Sequence, residues 1–108
     1  MCRKHKILHK NDLGYISICK ECDHLHIEIG SFMSLLCKRS FQLILKDFKE
    51  VNKNKKQYTF PTPTGDKVIT RLTDSTFISL TEDEFDKALR MLVVSNHLMS
   101  AYSILGQN

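Results

Sequence analysis

Cys2 and His5 form a Cys-x-x-His pair, and Cys19 and Cys22 form a Cys-x-x-Cys pair downstream of it. Thiolates and imidazole in two close pairs suit tetrahedral zinc. The stretch Lys6–Ile18 between the pairs has room for a β-hairpin but not for a domain, so the layout is that of a zinc ribbon. Four protein ligands close the coordination sphere and leave no place for a reactive water, so the expected zinc is structural. His9, His24 and His26 are alternative donors for the position given to His5. A ligating imidazole would turn its other nitrogen to a carbonyl or carboxylate.

Other reactive residue types point elsewhere. A redox Cys-x-x-Cys starts a helix in a βαβ setting, whereas Cys19 and Cys22 are flanked by strand patterns. Thiol redox or metal-dependent catalysis is therefore the weaker alternative. His24, His26 and Glu28 share one face of a strand and could form a two-His-one-carboxylate site. They also read as the solvated face opposite Leu25, Ile27 and Ile29. Cys37 stands at a helix start. Arg3, Lys4, Lys6, Lys10 and Lys20, with Tyr15 for stacking, would give a nucleic-acid-binding ribbon its contacts.

Charge is uneven along the 108 residues. Residues 1–57 carry twelve Lys/Arg against six Asp/Glu, while residues 58–108 carry four against six. That imbalance permits phosphate contact without requiring it. The basic start, Met1–Lys10, leads into no apolar core, so no secretory signal is expected, and no apolar run is long enough for a membrane span. Four cysteines in such a chain point to a reducing cytoplasm, where metal binding is favoured over disulfides.

The elements that must position these residues follow from periodicity. Lys6–Lys10, Tyr15–Ile18, His24–Ile29 and Phe32–Leu36 read as strands, with turns at Asn11–Gly14 and Gly30-Ser31. Phe41, Ile44, Leu45 and Phe48 define the buried stripe of a helix over Lys38–Val51. The lysine-rich segment 52–57 reads as a loop, Tyr58–Pro61 as a short edge strand, and Lys67–Leu72 with Thr76–Leu80 as a hairpin. Thr81 and Glu84 form a capping box at the start of a long last helix. On that helix Phe85, Ala88, Leu89, Leu92 and Val93 make one apolar stripe. Met91, Val94, Leu98, Ala101 and Leu105 make another, which is the expected homodimer interface unless the helix bends near Ser95–His97. Leu36 to Phe48 and Leu80 to Leu92 share the same spacing, as two hairpin–helix units would.

These residues carry a resemblance. Gly14-Tyr15-Ile16 through Cys22, the strand ending Ile27-Glu28-Ile29-Gly30, the Phe-led helix, Phe60-Pro61-Thr62 and Leu80–Phe85 together resemble a family of small bacterial proteins without an assigned activity. The resemblance implies the fold and a zinc-ribbon-like knuckle, and nothing of a reaction.

The expected protein is α+β. Residues 1–51 form a zinc-ribbon-like antiparallel β-unit with a helix, 52–57 a loop, and 58–108 a hairpin with a long helix, all packed together. Its expected role is a non-enzymatic interaction or regulatory module with structural zinc and an unknown protein partner. A nucleic-acid-binding ribbon is the alternative.

Overall fold

Period-two alternation builds two antiparallel sheets, and period-3.6 stripes build the two helices that join them. The computed structural model describes residues 5–73 and 75–104. Strands β1 (His5–Lys10), β2 (Gly14–Cys19), β3 (Leu25–Ile29) and β4 (Phe32–Leu36) form a meander in that order. Helix α1 (Lys38–Lys53) and a 3-10 turn (Lys55–Tyr58) lead to β5 (Thr59–Thr62), β6 (Gly65–Arg71) and β7 (Phe77–Leu80), which form the second sheet. Helix α2 (Glu82–Ile104) ends the described chain. The fold is α+β, and no described helix is long and apolar enough to cross a membrane.

Local chemistry fixes the first sheet. Ile16, Ile18, Leu25, Ile27, Ile29 and Leu36 point to the core. A Cβ at Gly14 would lie 1.8 Å from the Glu28 carbonyl oxygen, so only glycine lets β2 and β3 approach there. Gly30 takes φ +60° at the first position of the β3–β4 turn, which glycine adopts without strain. Leu8 turns inward while its neighbour Ile7 stays 57% exposed, as alternation requires, and a register shift between Ile7 and His9 interrupts the β1–β2 ladder there.

The helices exchange sheets. Helix α1 follows β4 but lies mainly on β6, and α2 follows β7 but lies mainly on β1 and β2. Where they meet, the buried rings of Phe48 and Phe85 stack at 5.3 Å and 5°. Gln42 Nε2 donates to Asn96 Oδ1 at 2.7 Å further along. A single core cluster draws on both sheets and both helices.

Three expectations change. Segment 52–57 is no open loop: α1 runs to Lys53, Asn54 N–H closes it on the Val51 carbonyl, and the 3-10 turn follows directly. Strand β6 begins at Gly65 (φ +113°), two residues before the Lys67 start read from the sequence, because Thr62 pairs with Gly65 across a Pro63-Thr64 turn. Helix α2 is one continuous helix through Ser95–His97. Its buried face holds Phe85, Ala88, Met91, Leu92, Ser95 and Met99, so Met91 belongs to the chain's own core while Leu89 and Val93 are half-buried.

The helix starts differ in quality. At α2, Thr81 N–H donates to Glu84 Oε1 at 2.9 Å and Glu84 N–H donates to Thr81 Oγ1 at 3.1 Å, a complete capping box. Cys37 holds the equivalent place at α1 and makes no side-chain cap bond. Thr81→Ala should therefore lower unfolding free energy by about 1 kcal/mol, and Cys37→Ser should raise it by a few tenths, both read from urea denaturation midpoints. Ser95 Oγ is fully buried with no partner among the described residues. An orphaned hydroxyl destabilises the fold, so Ser95→Ala is expected to raise stability by up to about 1 kcal/mol in the same assay.

Candidate functional site

The Cys19–Cys22 segment is the turn between β2 and β3. Cys19 ends β2 at 1% exposure, and Cys22 is exposed. Cys19 N–H donates to the His24 carbonyl at 2.8 Å, and Asp23 N–H donates to the Cys19 carbonyl at 3.0 Å. Asp23 takes φ +61°, a left-handed turn that aspartate tolerates better than most residues. Its Oδ1 is buried with no partner among the described residues, and its Oδ2 lies 3.9 Å from Lys38 Nζ.

The ladder brings one candidate histidine to this turn. His5 is directly opposite Cys19 in the β1–β2 register. The even residues of β2 bond to β1, as the Asn11 N–H to Gly14 carbonyl bond shows, so His5 and Cys19 form a non-hydrogen-bonded pair whose side chains stand close. The His5 ring stacks on His26 at 5.3 Å and 18°, and Tyr15 meets His26 edge-on at 6.5 Å. His9 lies at the other end of β1, opposite Ile16. His24 Nδ1 is 3.1 Å from the Cys22 carbonyl oxygen. Cys2 lies outside the described residues, and among those described no three His, Cys, Asp or Glu side chains gather closely enough to hold an ion. His24, His26 and Glu28 therefore do not form the two-His-one-carboxylate site their spacing allowed.

The basic residues do not converge. Arg3 and Lys4 lie outside the described residues. Lys6 is paired with Ile18 near one end of β1, Lys10 with Tyr15 at the other, and Lys20 is exposed in the cysteine turn. Tyr15 is half-buried against His26. On α2, Val94 and Leu98 are half-buried, Ala101 is exposed, and Leu105 lies outside the described residues. With Met91 in the core, the outward stripe keeps only these smaller contributions.

Several features escaped the sequence reading. Lys55 bridges Asp86 at 2.7 Å and Glu82 at 3.4 Å, with its ammonium 5.6 Å from the Phe85 ring centroid. The Asp86 carboxylate, then Glu82, raises its pKa above the ordinary lysine value. Lys87 joins Asp12 at 2.9 Å and Asp83 at 3.2 Å; its pKa is raised and that of Asp12 lowered by the shared bond. Cavities of about 290 Å³ and about 420 Å³ flank α1. The walls of the first include Tyr58, Phe60, Ile69 and Phe77, those of the second Leu36, Leu43, Ile44 and Leu72, and the charged Asp47 and Arg71 line both. Alternation marked these as strand and helix residues, but which faces line a cavity depends on how the sheets and helices meet.

Cys37 is exposed, and its Sγ lies 3.3 Å from the Ser40 hydroxyl. That hydroxyl, aided by the Ser40 backbone amide, lowers the thiol pKa below its ordinary value. Alkylation of Cys37 should therefore set in at a lower pH than that of an unstructured cysteine peptide. Peptide mapping after brief iodoacetamide treatment should find Cys37 modified well ahead of buried Cys19.

Compared with known proteins, the chain matches no family model, no curated protein and no solved structure, so similarity assigns it no activity.

Proposed function

We propose that this chain is a small non-enzymatic interaction or regulatory module whose first sheet is held at its cysteine turn by structural zinc. The observation that carries the zinc reading is the pairing of His5 with buried Cys19 beside the Cys19–Cys22 turn. Cys19, Cys22 and His5 are the described ligand candidates and Cys2 the candidate outside the described residues; as placed, the three described side chains do not gather round one point, so binding would have to draw them together. Two soft thiolates one turn apart fit zinc chemically. The buried Asp23 Oδ1 in the same turn, with no partner among the described residues, is an acceptor of the kind that orients metal-ligating groups. When bound, zinc would cross-link the β1 end to the β2–β3 turn. The reading fits a reducing cytoplasm, and it agrees with the resemblance to small bacterial proteins bearing a zinc knuckle.

The interaction role rests on exposed apolar side chains. Ile7, Met33, Leu35, Leu43, Phe60 and Phe77 are all more than 40% exposed. Such groups, when clustered, mark contact surfaces.

Elemental analysis of the purified protein should find about one zinc per chain. Cys19→Ser and Cys22→Ser should each lose the metal, and chelation of the native protein should lower its melting temperature by several degrees or more. A metal-free protein whose melting ignores chelator would sink the zinc reading. Retention on RNA or DNA that falls steeply with salt would instead favour the nucleic-acid-binding alternative.

A further inference from the structure

We infer that β4 is a docking edge for a second copy of this chain, with the two β4 strands pairing antiparallel about a two-fold axis at Ser34. Gly30 N–H donates to the Leu13 carbonyl, and Cys19 N–H donates to the His24 carbonyl, so the even residues of β3 bond to β2. Its odd residues therefore bond to Phe32, Ser34 and Leu36 of β4. That leaves the backbone of Met33 and Leu35 pointing away from the sheet. The Met33 N–H and carbonyl and the Leu35 N–H have no partner among the described residues. The Leu35 carbonyl has only the Ser34 hydroxyl, at a marginal 3.5 Å.

The four sheet edges are not alike. Strand β1 carries His5, Lys6, His9 and Lys10 and a register shift, and β5 carries Pro61; charge, bulges and proline all discourage strand addition. Strand β7 is four residues long, and its two outward-bonding residues are Phe77 and Ser79. Strand β4, Phe-Met-Ser-Leu-Leu, has five residues with no charge, proline or bulge. Met33 is 53% exposed and Leu35 64% exposed, and nearby on α1 Leu43 is 55% exposed.

A second copy fits this edge because the edge complements itself. An axis at Ser34 overlaps all five residues and sets Met33 against Leu35 of the second copy, and the converse. Four N–H to carbonyl bonds result, and every open Met33 and Leu35 group is used. Phe32 of each copy arrives beside Leu36 of the other, near the cavity of about 420 Å³ whose apolar wall is Leu36, Leu43, Ile44 and Leu72 and whose polar wall includes Asp47 and Arg71. Phe32 is half-buried in the single chain and would become covered. No charged side chain on either strand meets its like. The two sheets would merge into one of eight strands.

The area argues for a reversible dimer. A five-residue ladder spans only about 17 Å. So short a ladder, with only Met33, Leu35, Leu43 and Phe32 beside it, points to the transient side of the roughly 1,200 Å² total that separates transient from stable interfaces.

Sedimentation of the full chain as purified, from about 1 μM to about 1 mM, should show the mass rising from 12.5 kDa towards twice that value. Leu35→Lys, at an exposed site, should keep the fold by circular dichroism and weaken association by about tenfold or more, while Phe77→Lys should leave it unchanged. Amide exchange of Met33 and Leu35 should slow as concentration rises. A wild type that stays monomeric throughout would overturn the inference. So would a Leu35→Lys variant that associates normally, loss of association in Phe77→Lys, or a dimer in which the Met33 and Leu35 amides gain no protection.

Discussion

The face-to-face contact of Phe48 and Phe85 is the joint on which this molecule turns. Each ring belongs to a helix that leaves one sheet and covers the other. Neither sheet is covered chiefly by the helix that follows it, so neither half of the chain can be cut away with its core intact. Residues 52–57 join two halves in sequence, yet the apolar cluster runs through both. The sequence spacing that made Leu36–Phe48 resemble Leu80–Leu92 has a physical reading in this exchange. Both helices must present a Phe at their start and an apolar residue two turns later to reach the sheet across from them.

Polar groups brace the joint from outside. Lys55, at the start of the 3-10 turn, reaches Asp86 and Glu82 in the first turns of α2 and covers the Phe85 ring. Lys87 ties α2 to Asp12 in the β1–β2 turn, and Asn11 Nδ2 donates to the Lys87 carbonyl at 3.3 Å. Each ion pair is partly exposed and worth little alone. Together they tie the start of α2 to the 3-10 turn and to the β1–β2 turn. The complete cap at Thr81 starts that helix at a defined residue.

Much of this was legible in the amino-acid order because it is local. The alternation in Leu25–Ile29, the turn at Gly30, the stripe from Phe41 to Phe48 and the Thr81–Glu84 box each depend on neighbours within a few residues. The phase of α2 was harder to read. A helix apolar on two sides offers two consistent stripes, and only its position between sheets decides that Met91 goes inward while Leu89 and Val93 stay half-buried. The lysine-rich 52–57 segment read as a loop because it has nothing to bury. Lysine nonetheless favours helix, and α1 keeps its hydrogen bonds to the end of that propensity. For the cysteine turn, spacing offered four histidines as partners, and the β1–β2 register brings His5 to Cys19. No spacing rule could have found that β4 is an open edge of the first sheet, because a strand shows its two faces in the sequence and never its edges.

Across the first sheet the outer face changes character from one side to the other. One row runs Ile7, Ser17, His26, Leu35, and the next runs Lys10, Tyr15, Glu28, Met33. Strand β1 is basic and irregular, the middle strands carry a histidine–tyrosine cluster, and β4 is bare and apolar. A basic edge repels a second strand and holds water, whereas an uncharged edge with open N–H and carbonyl groups is a ready template for another strand. The cysteine turn lies between β2 and β3, where a bound ion would stiffen the sheet without covering either edge. In the proposed reading, scaffold and contact surface are therefore separate parts of one sheet. Metal chemistry at Cys19 and Cys22 would keep the strands in register, and that register is what holds Met33 and Leu35 in line at the opposite side.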